Sequence, residues 1–229
     1  MNRKLLRKAF LDTVPVMTGY LVLGIGFGIL LLQNGYGFWW SLAMSVFIYA
    51  GSMQYLAVSL LTGGASLLTA ALTTLMVNAR HLFYGISMVE KYQGTGKKKP
   101  YLIFALTDET YSLVSTQIPE GVNRHGYFFL VSLLDQCYWV TGCVLGSLLG
   151  SVLPINFEGI DFALTALFVT VFVDQWLSTK NHWPAIVGVM STAICLLLFG
   201  ADIFLIPSMV LIALLLTVSR KTGKETRHA

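Results

Sequence analysis

Apolar stretches long enough to cross a bilayer recur along this chain and constrain its fold more than any other feature. Because a spanning helix needs roughly 17–25 mainly apolar residues, each stretch is a candidate transmembrane helix. The seven candidates lie at about 14–32, 38–61, 65–89, 127–149, 162–177, 185–199 and 203–218. Only 11% of the 229 residues are charged, too few to cover a soluble surface. The sequence therefore predicts an all-α polytopic integral membrane protein.

An eighth apolar stretch, 101–118, carries Asp108 and Glu109 side by side near its centre. Since two acids are costly inside lipid, this stretch either spans or re-enters the membrane. We therefore expect seven to eight transmembrane or re-entrant helices. The connections are short and polar or glycine-rich, which leaves no room for a soluble domain. We predict a single transmembrane transporter domain over residues 1–229.

Basic residues indicate the orientation of the chain, because they concentrate in cytoplasmic loops. They cluster at 2–8, 91–99 and 220–229. Both termini are expected to be cytoplasmic, in a multi-pass protein of the cell membrane. The 91–99 loop lies outside if the first three stretches all cross. Its placement changes if one of them, or the 101–118 stretch, only dips into the membrane, and the sequence leaves these options open.

Several functional classes lack their characteristic motifs in this sequence. No basic stretch is interleaved with aromatics as a nucleic-acid groove requires. The cysteines Cys137, Cys143 and Cys195 lie in apolar runs without CxxC spacing, so we expect no metal site and no cofactor. Neither HExxH nor GxSxG occurs, and no cysteine has an obvious base nearby. We predict that the protein is not an enzyme.

Two apolar segments resemble each other weakly, residues 47–56 and 168–177, and their alignment pairs Gln54 with Gln175. Transporters are often built from repeats whose discontinuous helices meet near the membrane midplane. An internal repeat is one explanation of the similarity. Chance agreement between two hydrophobic stretches is the other.

Small residues interrupt the second apolar stretch at Gly51 and Ser52, just before Gln54. A helix break there would expose backbone groups able to bind the termini of a zwitterion. A closely packed helix crossing is the alternative. Close packing is also our preferred interpretation of glycines at four-residue spacing elsewhere, namely Gly24, Gly28, Gly142, Gly146 and Gly150.

Charged and polar side chains also occur within the third stretch, at Asn78, Arg80 and His81. On a helix, Asn78 and His81 share a polar stripe with Thr74 and Gly85. The guanidinium of Arg80 needs a partner at membrane depth, or it snorkels to an interface. We favour a functional role for this group.

Acidic side chains form the most informative cluster, at Thr107, Asp108 and Glu109, with Asp135 in a later stretch. Adjacent carboxyl groups cannot both ionise cheaply there without water, a cation or Arg80. They could meet a substrate ammonium group or carry a proton. The alternative is an exposed loop beside the lysine-rich segment. Asp135 begins a stripe of small and aromatic residues along its helix.

At these positions the chain resembles the AzlC family, the large subunit of two-component branched-chain amino acid exporters. The resemblance rests on the motifs Ala50-Gly51-Ser52-Met53-Gln54, Asn78-Ala79-Arg80-His81-Leu82-Phe83-Tyr84-Gly85 and Thr107-Asp108-Glu109. It implies export of leucine, isoleucine or valine together with a separately encoded, small hydrophobic AzlD-like subunit.

The leading hypothesis is a secondary-transport subunit that works by alternating access. The substrate carboxylate would face Arg80 or the Gly51–Ser52 break, and its ammonium group would face Asp108 or Glu109. The surplus of acids favours proton antiport. The alternative is a channel or assembly subunit for another small solute. An intramembrane enzyme is the least favoured hypothesis.

Overall fold

The computed structural model describes residues 3–115, 123–152, 181–200 and 204–225, together with 162, 165, 166, 169, 172, 173, 176, 177 and 179. This part of the chain is helical and contains no strand, which confirms the all-α prediction. The helices are α1 (Arg3–Gln33), α2 (Phe38–Phe47), α3 (Gly51–Thr62), α4 (Leu67–Asn78), α5 (Arg80–Met88), α6 (Lys99–Phe104), α7 (Asp108–Ser115), α8 (Arg124–Val152), α9 (Trp183–Phe199) and α10 (Leu205–Glu225). The chain forms two compact units, Met1–Thr165 and Ala166–Ala229. The single domain and the number of crossings stay predictions.

Helices α1 and α8 pack in parallel along most of their length and frame the first unit. Near their N-terminal ends, Tyr127 donates a hydrogen bond to Asp12 (2.6 Å). Further along, Gly24 packs on Gly142, where an added Cβ would come within 2.9 Å of the Cys143 nitrogen. Only glycine permits this approach, so the predicted close helix packing is confirmed. Both helices are long and apolar enough to cross a membrane.

Helix α2 returns from the C-terminal end of α1 toward the middle of α8. Ser41 Oγ donates to the Cys143 carbonyl (2.8 Å), and Gln136 Nε2 donates to the Val46 carbonyl (3.3 Å). As the residue numbers rise along α2, their partners on α8 fall. The two helices are therefore antiparallel.

Helix α3 reverses this direction. Its first turn lies against Trp139, whose indole donates to Gln54 (2.8 Å). One residue later, Tyr55 donates to the Leu23 carbonyl (2.7 Å) and its ring meets Phe27 with centroids 5.7 Å apart. α3 thus runs parallel to α1, back toward the end from which α2 came. The predicted spanning stretch 38–61 is instead a helical hairpin, which we call the first hairpin.

A residue with unusual backbone geometry makes the tip of the first hairpin. Tyr49 has a φ of 44°, in the left-handed region that a bulky side chain rarely adopts. Its side chain is buried beside Phe104, with ring centroids 6.2 Å apart. Ala50 then adopts an extended conformation before α3 begins. Packing of the tyrosine ring holds the strained turn in place.

Helices α6 and α7 form a second hairpin that enters from the opposite end. The ammonium of Lys98 lies over the Phe129 ring (4.7 Å), and Tyr101 donates to Gln136 (2.7 Å), so α6 runs parallel to α8. α7 runs back, since its Val114 shares a buried cluster with Phe128. The 101–118 stretch, which the sequence left as spanning or re-entrant, turns back at residues 105–107.

Helices α4 and α5 connect the two ends of the unit, and the lysine-rich loop follows them. Tyr92 in this loop packs edge-on against Phe128, with ring centroids 5.4 Å apart. Gly94 lies close to His125, so the loop sits at the N-terminal end of α8. Since Leu5 approaches Gly126 there, the loop and the basic N-terminal segment share one end of the unit.

The second unit is described in part. Helices α9 and α10 pack against each other, and Trp176 stacks on His182 with ring centroids 4.1 Å apart. These aromatic rings border a cavity of about 750 Å³. Gln175 lies outside the described residues, so the proposed repeat and its pairing with Gln54 stay predictions.

Candidate functional site

The tips of the two hairpins meet between α1 and α8. Tyr49 at the first tip shares a buried cluster with Ala105 at the second, and Tyr20 of α1 and Trp139 of α8 belong to the same cluster. The rings of Tyr20 and Trp139 meet edge-on with centroids 5.3 Å apart. We call this region the hairpin junction. Its members are Tyr20, Tyr49, Gly51, Gln54, Thr107, Glu109, Thr110, Asp135 and Trp139.

Gln54 has a fixed orientation in the junction. The indole N–H of Trp139 can only donate, so the oxygen of the Gln54 amide must face it, as the 2.8 Å bond shows. The Gln54 Nε2 atom is buried and has no hydrogen-bond partner among the described residues. An unmade hydrogen bond of a buried amide costs about 1–3 kcal/mol. The Gln54 Nε2 atom is therefore a hydrogen-bond donor available to a ligand inside the junction.

The first turn of α3 adds backbone donors beside this amide. Ala50 occupies the N-cap position and supplies no side-chain cap. The free N–H groups of a helix N-terminus favour an anionic partner. A Cβ on Gly51 would come within 3.0 Å of the Trp139 ring, so glycine allows the indole to close over this turn.

Asp135 supplies an acceptor in the same region. Its side chain is 0% exposed, and its Oδ2 accepts a hydrogen bond from Thr110 (2.8 Å). Its Oδ1 has no partner among the residues that the structure describes. A buried carboxylate with an open oxygen is costly unless a proton or a cation accompanies it. The junction can therefore hold a positive group at Asp135.

A chain of hydroxyl groups connects Asp135 to Glu109. Tyr20 donates to Glu109 (2.7 Å), and the Tyr20 hydroxyl also lies 2.7 Å from the Thr107 hydroxyl. Thr107 donates to Thr110 across 3.1 Å, and Thr110 donates to Asp135. Glu109 is half-buried, whereas the hydroxyls and Asp135 are buried. The network runs from a partly exposed acid to a fully buried one.

Five of the residues predicted from sequence come together here: Gly51, Gln54, Thr107, Glu109 and Asp135. Ser52 is buried in the first turn of α3, and Asp108 begins α7. His81 instead lines a cavity of about 500 Å³ with Tyr92 and Lys99. Its Nδ1 lies 3.2 Å from the carbonyl oxygen of Asn78. The side chain of Arg80 and all of Gln175 lie outside what the structure describes.

Sequence reasoning missed four members of the junction, namely Tyr20, Tyr49, Thr110 and Trp139. None of them carries a charge, and all three residue types are ordinary in membrane helices. One signal was available for Thr110, because it follows Thr107 by three residues, the spacing of a helix N-cap and its partner. The Thr110 N–H does donate to the Thr107 hydroxyl (3.2 Å). No group of three His, Cys, Asp or Glu suited to a metal occurs in the described part of the chain.

Comparisons with known proteins find relatives over most of the chain. A family model described as "AzlC protein" matches residues 15–153, which contain the whole junction. The "Branched-chain amino acid transport protein AzlC" of Bacillus subtilis is 45% identical over 216 residues, covering 94% of this chain and 85% of that protein. An "Uncharacterized membrane protein" of Helicobacter pylori is 41% identical over 95% of this chain and 96% of its own. The "Inner membrane protein YgaZ" of Escherichia coli is 27% identical over 87% and 82%. No solved structure matches.

Proposed function

The chain belongs to the AzlC family, and on that premise we propose that it is a secondary-transport subunit that exports branched-chain or other hydrophobic amino acids across the cytoplasmic membrane. The substrate class is that named for the Bacillus subtilis relative. Transport, rather than catalysis, is in keeping with that name and with a junction that offers binding groups at the meeting point of two hairpins.

One observation carries the proposal: an open donor and an open acceptor are buried in the same junction. Gln54 Nε2 and the first turn of α3 suit a carboxylate, while Asp135 Oδ1 suits an ammonium group. A zwitterionic α-amino acid carries both groups on the same carbon atom. The aromatic rings of Tyr49 and Trp139 supply apolar surface for an aliphatic side chain.

Three predicted acids could meet the ammonium group, namely Asp108, Glu109 and Asp135. We assign it to Asp135, because that acid is fully buried in the junction. Glu109 is instead hydrogen-bonded to Tyr20. The Gly51–Ser52 break keeps its proposed role at the substrate carboxylate.

We further propose a topology in which both hairpins are re-entrant and approach each other from opposite membrane faces. α1, α8 and the α4–α5 pair would cross the membrane, and residues 67–88 would span about 33 Å at 1.5 Å per residue. The basic N-terminal segment and the lysine-rich loop then lie on one side, as the positive-inside rule requires of the cytoplasm. A cytoplasmic C-terminus is part of the same proposal.

Proton coupling and an AzlD-like partner complete the proposed function. Coupling is supported by Asp135, since one carboxyl group cannot keep a proton and also bind an ammonium group as a carboxylate. The partner follows from family membership. Together these features describe a two-component proton antiporter for amino acids.

The test is efflux of preloaded labelled leucine, isoleucine and valine from cells that express this chain with its small partner subunit. We expect saturable efflux that stops on addition of a protonophore and is absent without the partner. Non-saturating flux would favour a channel. Efflux no faster than from empty cells would withdraw the amino acid assignment.

A further inference from the structure

The chain of hydroxyl groups at the second hairpin tip needs a fixed number of hydrogen atoms if all its contacts are to be hydrogen bonds. Four short oxygen–oxygen contacts join Glu109 to Tyr20, Tyr20 to Thr107, Thr107 to Thr110, and Thr110 to Asp135. Each contact becomes a hydrogen bond only if one hydrogen lies between its two oxygens. Four hydrogens are therefore needed to complete the chain.

The three hydroxyl groups bring three hydrogens, one each. If Glu109 and Asp135 are both ionised, one contact is left with lone pairs facing each other across hydrogen-bond distance. If one of the two acids carries a proton, the fourth hydrogen is supplied and every contact is a hydrogen bond. The geometry of the chain thus matches a single proton shared between two carboxyl groups.

The chain has two complete arrangements that differ only in direction. With the proton on Glu109, each hydroxyl donates toward Asp135. With the proton on Asp135, each hydroxyl donates toward Glu109. The backbone N–H of Thr110 occupies one lone pair of the Thr107 oxygen (3.2 Å) and leaves it one further hydrogen bond to accept. Thr107 therefore accepts a hydrogen bond from Tyr20 in one arrangement and from Thr110 in the other. In each case it donates its own hydrogen to the remaining hydroxyl.

Conversion between the two arrangements is a balanced proton transfer. The O–H bond of Glu109 breaks as Tyr20 gains that hydrogen and passes its own to Thr107. Thr107 passes its hydrogen to Thr110, and Thr110 passes its own to Asp135, whose oxygen forms the new O–H bond. Every hydroxyl oxygen gains one proton and loses one, so none becomes an ion. The negative charge moves from Asp135 to Glu109.

The surroundings of Asp135 leave Glu109 as its exchange partner. Among the described residues, Glu109 is the side chain whose charge acts on Asp135. The charge of Asp135 acts in turn on the tyrosines Tyr20, Tyr49, Tyr101 and Tyr127, which come from α1, the first hairpin tip, α6 and α8. Tyrosines are neutral at physiological pH. Asp108 precedes Glu109 at the start of α7 and adds negative charge at that end of the chain.

We propose that Tyr20, Thr107 and Thr110 form a hydroxyl relay that carries one proton between half-buried Glu109 and fully buried Asp135. The relay rests on the proposed function and gives it a coupling route. When a substrate ammonium group binds Asp135, the proton of that acid moves along the relay to Glu109, from which it is released. Departure of the substrate reverses the path.

The experiment uses proteoliposomes that contain the chain with its partner subunit and a pH-sensitive dye. Two quantities are measured: leucine–leucine counterflow, which needs no net proton movement, and protons moved for each leucine in net transport. Tyr20→Phe and Thr110→Val should reduce proton movement about 100-fold, the usual contribution of a positioned proton-transfer group. Leucine–leucine counterflow should fall by a much smaller factor than proton movement, because neither substitution removes the Gln54 amide or the Asp135 carboxyl group.

Two variants make the result specific. Thr110→Ser keeps the hydroxyl and should restore proton movement. Tyr138→Phe removes a hydroxyl that contacts Thr13 (3.2 Å) outside the relay, so it should behave as wild type. Wild-type proton movement in Tyr20→Phe and Thr110→Val, or a Thr110→Ser protein as impaired as Thr110→Val, would overturn the relay.

A spectroscopic measurement separates failure of the relay from failure of the proposed function. The infrared spectrum of the purified protein should contain a carboxylic-acid C=O band at neutral pH that Asp135→Asn or Glu109→Gln alters. If no such band exists, the relay is wrong even where leucine is transported. If the band exists but leucine is not transported, the amino acid assignment fails while the shared proton stands.

Discussion

The two hairpins differ most at their tips. The first tip is strained and uncapped: Tyr49 has a positive φ, and Ala50 supplies no side-chain cap to α3. The second tip is capped, because the Thr107 hydroxyl accepts the Thr110 N–H at the start of α7. Asp108 and Glu109 then place negative charge in the first turn of α7, where the helix dipole favours it.

The difference between the two tips would allow one junction to perform two tasks, substrate binding and proton movement. An uncapped helix start beside an open amide is ready to receive an anionic group from outside the protein. At the capped helix start, the Thr107 hydroxyl accepts the Thr110 N–H and also contacts the hydroxyls of Tyr20 and Thr110. The first hairpin is suited to bind the substrate carboxylate, and the second to move a proton.

The largest expected effect tests the opposite entry of the hairpins by cysteine labelling in a background without native cysteines. Thr62→Cys, after the first hairpin, should react only with reagent on the non-cytoplasmic side, as should Asn34→Cys before it. Lys97→Cys, before the second hairpin, should react only from the cytoplasm. The physical reason is that each hairpin returns to the end from which it came.

A single crossing by residues 38–61 predicts the reverse. Thr62→Cys would then react from the cytoplasm and Lys97→Cys from outside, while Asn34→Cys would not change. This pattern would contradict the proposal that the two hairpins enter the membrane from opposite faces and meet at their tips.

A smaller effect is expected for Gln54→Leu, which removes the open donor and keeps the size of the side chain. Hydrogen bonds to charged groups contribute about 1.5–3 kcal/mol, so the KM for leucine should rise roughly 10- to 150-fold. Part of the loss comes from Trp139, whose indole would lose its acceptor. Gln33→Leu, an exposed change at the end of α1, is the matched control.

The number of protons moved for each leucine separates the two hairpins in this experiment. If the first hairpin binds and the second couples, Gln54→Leu raises KM while protons moved for each leucine stay at the wild-type ratio. An unchanged KM with a lost proton ratio would assign coupling to the first hairpin and contradict the division of tasks.

The sequence predicts the helices well and their directions poorly. Apolar length locates the candidate segments, and Gly51 with Ser52 marks the break before α3. The same length makes residues 38–61 look like one crossing, because hydropathy does not record a reversal. The reversal depends on tertiary contacts, such as those of Ser41 and Gln54 with different parts of α8.

The candidate site is also only partly predictable from the sequence. Gln54, Glu109 and Asp135 are detectable from sequence since polar or charged groups in apolar stretches are expensive. Tyr20 and Thr110 are not, because a hydroxyl in a membrane helix usually bonds to its own backbone. Their role depends on the spatial meeting of α1, α7 and α8, which residue spacing does not encode.

The smallest expected effect comes from giving the first tip the cap that the second already has. Ala50 has extended backbone angles typical of an N-cap residue, so the hydroxyl of Ala50→Ser should accept a hydrogen bond from a backbone N–H in the first turn of α3. The protein should gain about 1 kcal/mol of stability, whereas Thr107→Val at the second tip should lose about as much. Thermal unfolding of the purified protein measures both changes.

The same substitution should weaken leucine binding, because the serine hydroxyl would occupy donors that the substrate carboxylate needs. A protein that gains stability and loses affinity would show that the missing cap belongs to the binding site. If Ala50→Ser gains stability and binds leucine as well as wild type, the α3 N-terminus does not contact the substrate, and Gln54 alone would remain as the donor at the first tip.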